Sequence, residues 1–152
     1  MQFVSIYDKR PLRLLRQVGS VTDDGLAEFL QTERRFKLRQ ALKGARWVDI
    51  YDIRSFEGLS SSQREALLSF VQTNLPCIAE STVGVAFVVP PALEVDPRAL
   101  TEPAGRQGIS THVGQSLDAA LEWALELAFD EVPVLDADLV LGGIDAFRLV
   151  IQ

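Results

Sequence analysis

Seven residues, Val83-Gly84-Val85-Ala86-Phe87-Val88-Val89, restrict the fold more than any other stretch of the chain. They are apolar without a break and are closed by Pro90-Pro91, which cannot continue a sheet ladder. A run of this kind fits an interior strand covered on both faces. Such a strand needs crossover connections, and right-handed crossovers place helices over a mostly parallel sheet. Gly84 and Ala86 leave room for a helix to approach closely on one side. At 152 residues the chain has the size of one such domain, able to bury roughly 70% of its unfolded surface.

The rest of the sequence supplies partners for that strand. Phe3 to Tyr7 and Leu12 to Val18 read as two strands joined through the polar turn Asp8-Lys9-Arg10-Pro11, an antiparallel hairpin. A helix starts near Thr22 and Asp23, where a side-chain oxygen can accept free backbone N–H groups and the acids complement the dipole. Its stripe (Leu26, Phe29, Leu30, then Ala41 and Leu42) loses phase between Glu33 and Leu38, which predicts a kink there. Gly44 ends it. Trp47 to Ile53 is a strand with large residues on both faces. Asp49 and Asp52, three apart, are expected on opposite sides of it, which argues against a shared acid–base site.

Ser62 and Glu65 have capping-box spacing, opening a helix with Leu67, Leu68, Val71 and Leu75 on its buried face and a stop at Asn74 to Pro76. Asp96-Pro97 predicts a short helix, Pro103 to Gly108 a mobile loop, and Ile109 to Val113 a last strand. Ser116 caps an amphipathic helix whose stripe is Leu117, Ala120, Leu121, Ala124, Leu125 and Ala128. The expected order is β-β-α-β-α-β-α-β-α. The fold class is α/β, a mixed and mostly parallel sheet covered by helices, followed by an apolar hairpin-like extension.

Several kinds of chemistry lack their residues. With one histidine and one cysteine there is no Cys/His set at zinc spacing, so no metal and no cofactor is expected. His112 reads as structural or solvent-facing and Cys77 as an inert buried thiol. There is no Gly-x-Ser-x-Gly elbow and no phosphate loop with its lysine, so no catalytic residue is assigned and the chain is not expected to be an enzyme. The start of the chain has no signal-peptide pattern and no apolar run approaches the ~20 residues of a membrane span, which predicts a cytoplasmic protein without a transmembrane segment.

Charge is uneven. Residues 1–50 carry ten Lys or Arg against six acids, and residues 51–152 carry five against fifteen. Arg34, Arg35, Lys37, Arg39 and Lys43, with Arg46, form either a solvated helix face or a patch for an anionic partner. Nucleic acid is not expected, since the net charge is −6 and no aromatic ladder accompanies the patch.

The run Val48-Asp49-Ile50-Tyr51-Asp52-Ile53-Arg54-Ser55-Phe56, Gln63-Arg64 at a helix start, the run from Val83 to Pro90, and Ser116-Leu117-Asp118-Ala119-Ala120-Leu121-Glu122-Trp123-Ala124 come in a telling order. Together they resemble the STAS superfamily in its SpoIIAA-like branch, over roughly residues 2–129. That resemblance implies a non-enzymatic regulatory or adaptor module working through contact with another protein. In some branches it implies binding of an apolar or lipid-like ligand, for which Phe29, Phe36, Phe70, Phe87 and Phe129 are candidate lining. It also implies a phosphorylatable serine at the start of the helix after the acidic strand. Ser60, Ser61 and Ser62 stand there, and Asp52 and Arg54 adjoin them as docking candidates. Leu59 and Gln63 depart from the family pattern around that serine, and helix capping accounts for the serines equally well.

Residues 130–152 extend past the resembling domain as two apolar runs around Gly142-Gly143, a hairpin with a primed turn. Leu139, Leu141, Ile144, Phe147, Leu149 and Ile151 would either cap the domain's own sheet or form a docking or homodimerising arm.

Overall fold

The computed structural model describes residues 2–91 and 97–131. Strands β1 (Gln2–Lys9) and β2 (Leu12–Val18) form the antiparallel hairpin, followed by α1 (Asp23–Leu42), β3 (Trp47–Asp52), α2 (Ser61–Ser81) and β4 (Thr82–Val88). Then come α3 (Pro97–Gly105), β5 (Ser110–Gly114) and α4 (Leu117–Glu131). The sheet order is β1-β2-β3-β4-β5, with every pairing after the first parallel. The protein is an α/β fold with a mixed, mostly parallel five-stranded sheet flanked by helices. Among the described residues no helix is long and apolar enough to cross a membrane.

The pleat sends alternate residues of each strand to opposite faces. One face presents Leu12, Leu14, Val48, Ile50, Ala86 and Val88, all buried, and α4 covers it with Leu117, Ala120, Leu121, Ala124 and Ala128. This helix touches β2, β3, β4 and β5. Gly84 permits the approach: a Cβ there would run into Leu127 and lie 2.9 Å from Trp123 Cη2. The ring of His112 stacks on Trp123 on this side, with centroids 5.5 Å apart.

The other face presents Arg13, Leu15 and Gln17 from β2, Asp49 and Tyr51 from β3, and Val85 and Phe87 from β4, roofed by α1, α2 and α3. Here the helices pack differently. Helices α1 and α2 lie chiefly on one another, their backbones coming nearest the sheet at β1 for α1 and at β4 for α2.

Four local expectations give way. Helix α1 runs unbroken through the predicted kink, because Leu26, Leu30, Glu33 and Lys37 follow one another on a single buried stripe whose last two members are charged. Helix α2 passes through Pro76 to Ser81, since Leu75 and Ile78 continue its inward face and the missing N–H forfeits only one bond. Its capping box is Ser60 with Gln63 rather than Ser62 with Glu65. The segment from Pro103 is not all loop, for Pro103 and Gly105 belong to α3.

Candidate ligand-binding cavity

Between the roofed face and its helices lies a cavity of about 290 Å³. Its walls are almost wholly apolar: Phe3, Phe29 and Phe87 from one side, Leu67, Val71 and Leu75 of α2 from another, Ile109 near α3. Leu68 also lines it and is 56% exposed, so the cavity reaches the surface. Leu68 was expected within the buried face of α2. Of that helix only Ser81 is buried, and Leu67, Val71 and Leu75 are half-buried, because they line the cavity rather than pack on the sheet. Three of the five phenylalanines named from sequence, Phe29, Phe70 and Phe87, line the cavity. Phe36 instead packs edge-on to Trp47 at 5.4 Å and under the Arg13 guanidinium at 3.9 Å. The side chain of Phe129 lies outside the described set.

At the floor sits a cluster of buried charges that sequence reasoning missed. Arg13 donates from Nε to Asp49 Oδ1 at 3.0 Å and from its two terminal nitrogens to Glu33 at 2.9 and 2.8 Å. Lys37 Nζ donates to Asp49 Oδ2 and, at 2.6 Å, to Thr82 Oγ1. The Tyr51 hydroxyl donates to Glu33 Oε2 at 2.9 Å and accepts from Arg13 at 3.1 Å. Arg13, Glu33, Lys37 and Asp49 are each no more than 5% exposed. Such burial is tolerable only because two cations meet two anions with their hydrogen bonds made. Burial pushes the Asp49 carboxyl up, yet Arg13 and Lys37 outweigh it and hold it below its usual range. Tyr51 goes the other way: burial, then the Glu33 charge, raises its hydroxyl well above the usual value.

Asp52 lies on the opposite face, as its spacing from Asp49 requires. It accepts from Arg16 Nε at 2.9 Å, from Arg54 Nε and Nη2 at 2.8 and 2.7 Å, and from the Arg54 backbone N–H at 3.3 Å. Burial raises its carboxyl, and the hydrogen bonds from Arg54 and Arg16 bring it down below its usual range. Asp52 and Arg54 therefore belong to a loop-anchoring ion cluster, and no bond joins either to the serines.

Ser60 accepts from the Gln63 backbone N–H at 3.2 Å, and Gln63 Oε1 accepts from the Ser60 N–H at 2.9 Å. Ser60, Ser61 and Ser62 are all exposed. Gln63 Nε2 also donates to Asp23 Oδ1 at 2.9 Å, tying the start of α2 to the start of α1. Of the basic row, Arg34, Arg35, Arg39 and Lys43 are exposed, whereas Lys37 is drawn inside and leaves the patch. Leu139, Leu141, Ile144, Phe147, Leu149 and Ile151 lie outside the described residues. Among the described residues no group of three His, Cys, Asp or Glu side chains is placed to hold a metal ion.

Compared with models of known protein families and with curated proteins, the chain matches none.

Proposed function

We propose that this chain is a non-enzymatic binding domain for an apolar small molecule, held between the sheet and α1, α2 and α3. The observation that carries this reading is the apolar cavity of about 290 Å³ that the described residues enclose, near the lower end of small-molecule pockets. Interiors ordinarily pack to crystal-like density with few voids larger than a water. Here a helix of 21 residues leaves Leu67, Val71 and Leu75 only half-covered. A molecule that fills the space supplies the missing contacts and removes their apolar surface from water.

The STAS resemblance supports a regulatory use of that binding in a cytoplasmic setting. The helix that roofs the cavity begins with the exposed Ser60, Ser61 and Ser62, so occupancy and a partner protein's docking would bear on the same element. The test is native mass spectrometry on chain purified without detergent, beside organic extraction of the same sample. A co-purifying apolar molecule in one-to-one ratio is the expected result. A bare chain that also fails to take up added decanol counts against the reading.

A further inference from the structure

The cavity has a polar complement as well as a shape, and it restricts what the ligand can carry. Charge comes first. The floor holds two cations and two anions, and their bonds close on one another: Arg13 on Asp49 and Glu33, Lys37 on Asp49 and Thr82. No cation there lacks an anion. A carboxylate or phosphate head would be a third anion against two cations already engaged, in surroundings no more than 5% exposed. An ammonium head would be a third cation against two engaged carboxylates. At the floor either arrangement buries an unmatched charge, which costs far more than a neutral head.

The second observation is Gln17, a cavity-lining residue 1% exposed on β2. Its Nε2 donates to the Gly19 carbonyl, which fixes the amide's orientation, because the reverse would set oxygen against oxygen. Among the described residues its Oε1 has no hydrogen-bond partner. Buried acceptors are nearly always satisfied, and each exception asks for a cause. This one sits on the cavity side of the sheet, paired in register with the lining residue Phe3. What it lacks is a donor.

We infer that the cavity selects an uncharged, mainly apolar molecule bearing one hydrogen-bond donor, of which a long-chain alcohol is the simplest, and that the donor meets Gln17 Oε1. The inference rests on the cavity being a ligand site. It excludes a fatty-acid anion with its head at the floor, which nearby Arg and Lys would otherwise invite. Reaching Oε1 requires the amide and its neighbours to open slightly, since the atom is covered in this state.

An apolar fluorophore bound to the wild-type chain at pH 7 is displaced by decanol, by decyl methyl ether and by decanoate in parallel titrations. The ether keeps the chain and an oxygen but has no donor, and decanoate carries the charge. Decanol should displace at about fivefold lower concentration than the ether, the worth of one neutral hydrogen bond, and decanoate should be weaker than decanol by more than about tenfold. In Gln17→Met the preference for the alcohol over the ether should disappear. Decanoate equal to or tighter than decanol overturns the inference, as does an alcohol no better than the ether in the wild type, a comparison that needs no variant to fold. Failure of every probe to bind overturns the cavity reading itself.

Discussion

The two faces of one sheet are built on opposite plans, and β4 shows both within adjacent residues. Gly84, Ala86 and Val88 face α4, where a glycine is needed because even one added carbon meets Leu127 and Trp123. Val85 and Phe87, one step along, face a cavity large enough for a small molecule. The α4 side is sealed by close apolar packing. The opposite side is held by a polar strut, in which Glu33 and Lys37 of α1 reach Arg13 and Asp49 on the sheet, and its apolar surfaces stay apart. Among the described residues close apolar packing is thus concentrated on one face, and the other is joined through one ion cluster.

The strut offers the largest effect. Asp49→Asn leaves Arg13 and Lys37 buried against a single carboxylate and should cost about 3–5 kcal/mol, read from urea midpoints. A loss below about 1 kcal/mol would mean that the cluster does not hold α1 to the sheet. Gly84→Val should follow at roughly 2–3 kcal/mol, because the new side chain must displace α4. Its neighbour sharpens the contrast: Val85→Phe enlarges the other face and should change stability by less than about 1 kcal/mol. Equal losses at the two positions would erase the distinction between the faces.

Acid should act through both ion clusters. The Asp49 and Asp52 carboxyls lie below their ordinary value of 3.8, so the unfolded chain binds protons more readily than the native one. Their contribution is therefore full above about pH 5 and is lost as pH falls through the folded values. Urea midpoints measured downward from pH 5 should decline, and Asp52→Asn should flatten part of that decline. At neutral pH the same substitution should cost only about 1 kcal/mol, since Arg16 and Arg54 remain partly in water. A similarly small change is expected for Ser60→Ala, about 1 kcal/mol or less from the loss of the α2 cap, restored by Ser60→Asp.

Much of the fold was legible in the sequence for local reasons. The apolar run at β4, the caps at Thr22 and Ser116 and the α4 stripe each bury or satisfy groups from within one segment, so the element order follows from them. The placement of Asp49 and Asp52 on opposite faces needed only the pleat. The strut was hidden because its members look like errors of pattern when taken singly. Arg13 interrupts Leu12 and Leu14, Asp49 interrupts Val48 and Ile50, and Glu33 and Lys37 seem to break the helical stripe that they in fact continue. The signal was their balance, two cations and two anions all falling on inward positions. Three consecutive serines, likewise, offer alternative caps, and the choice of Ser60 comes from Gln63 reaching Asp23 on another helix. The cavity has no local signature, since Leu67, Val71 and Leu75 read as core whether or not anything packs on them.

Binding on the loosely filled face is the claim most exposed to direct measurement. An environment-sensitive apolar fluorophore titrated into the wild-type chain should brighten saturably at one per chain and be displaced by decanol. In Val85→Phe, with its melting temperature near the wild-type value, that signal should disappear. No saturable signal in the wild type, or an undiminished one in Val85→Phe, would contradict the account.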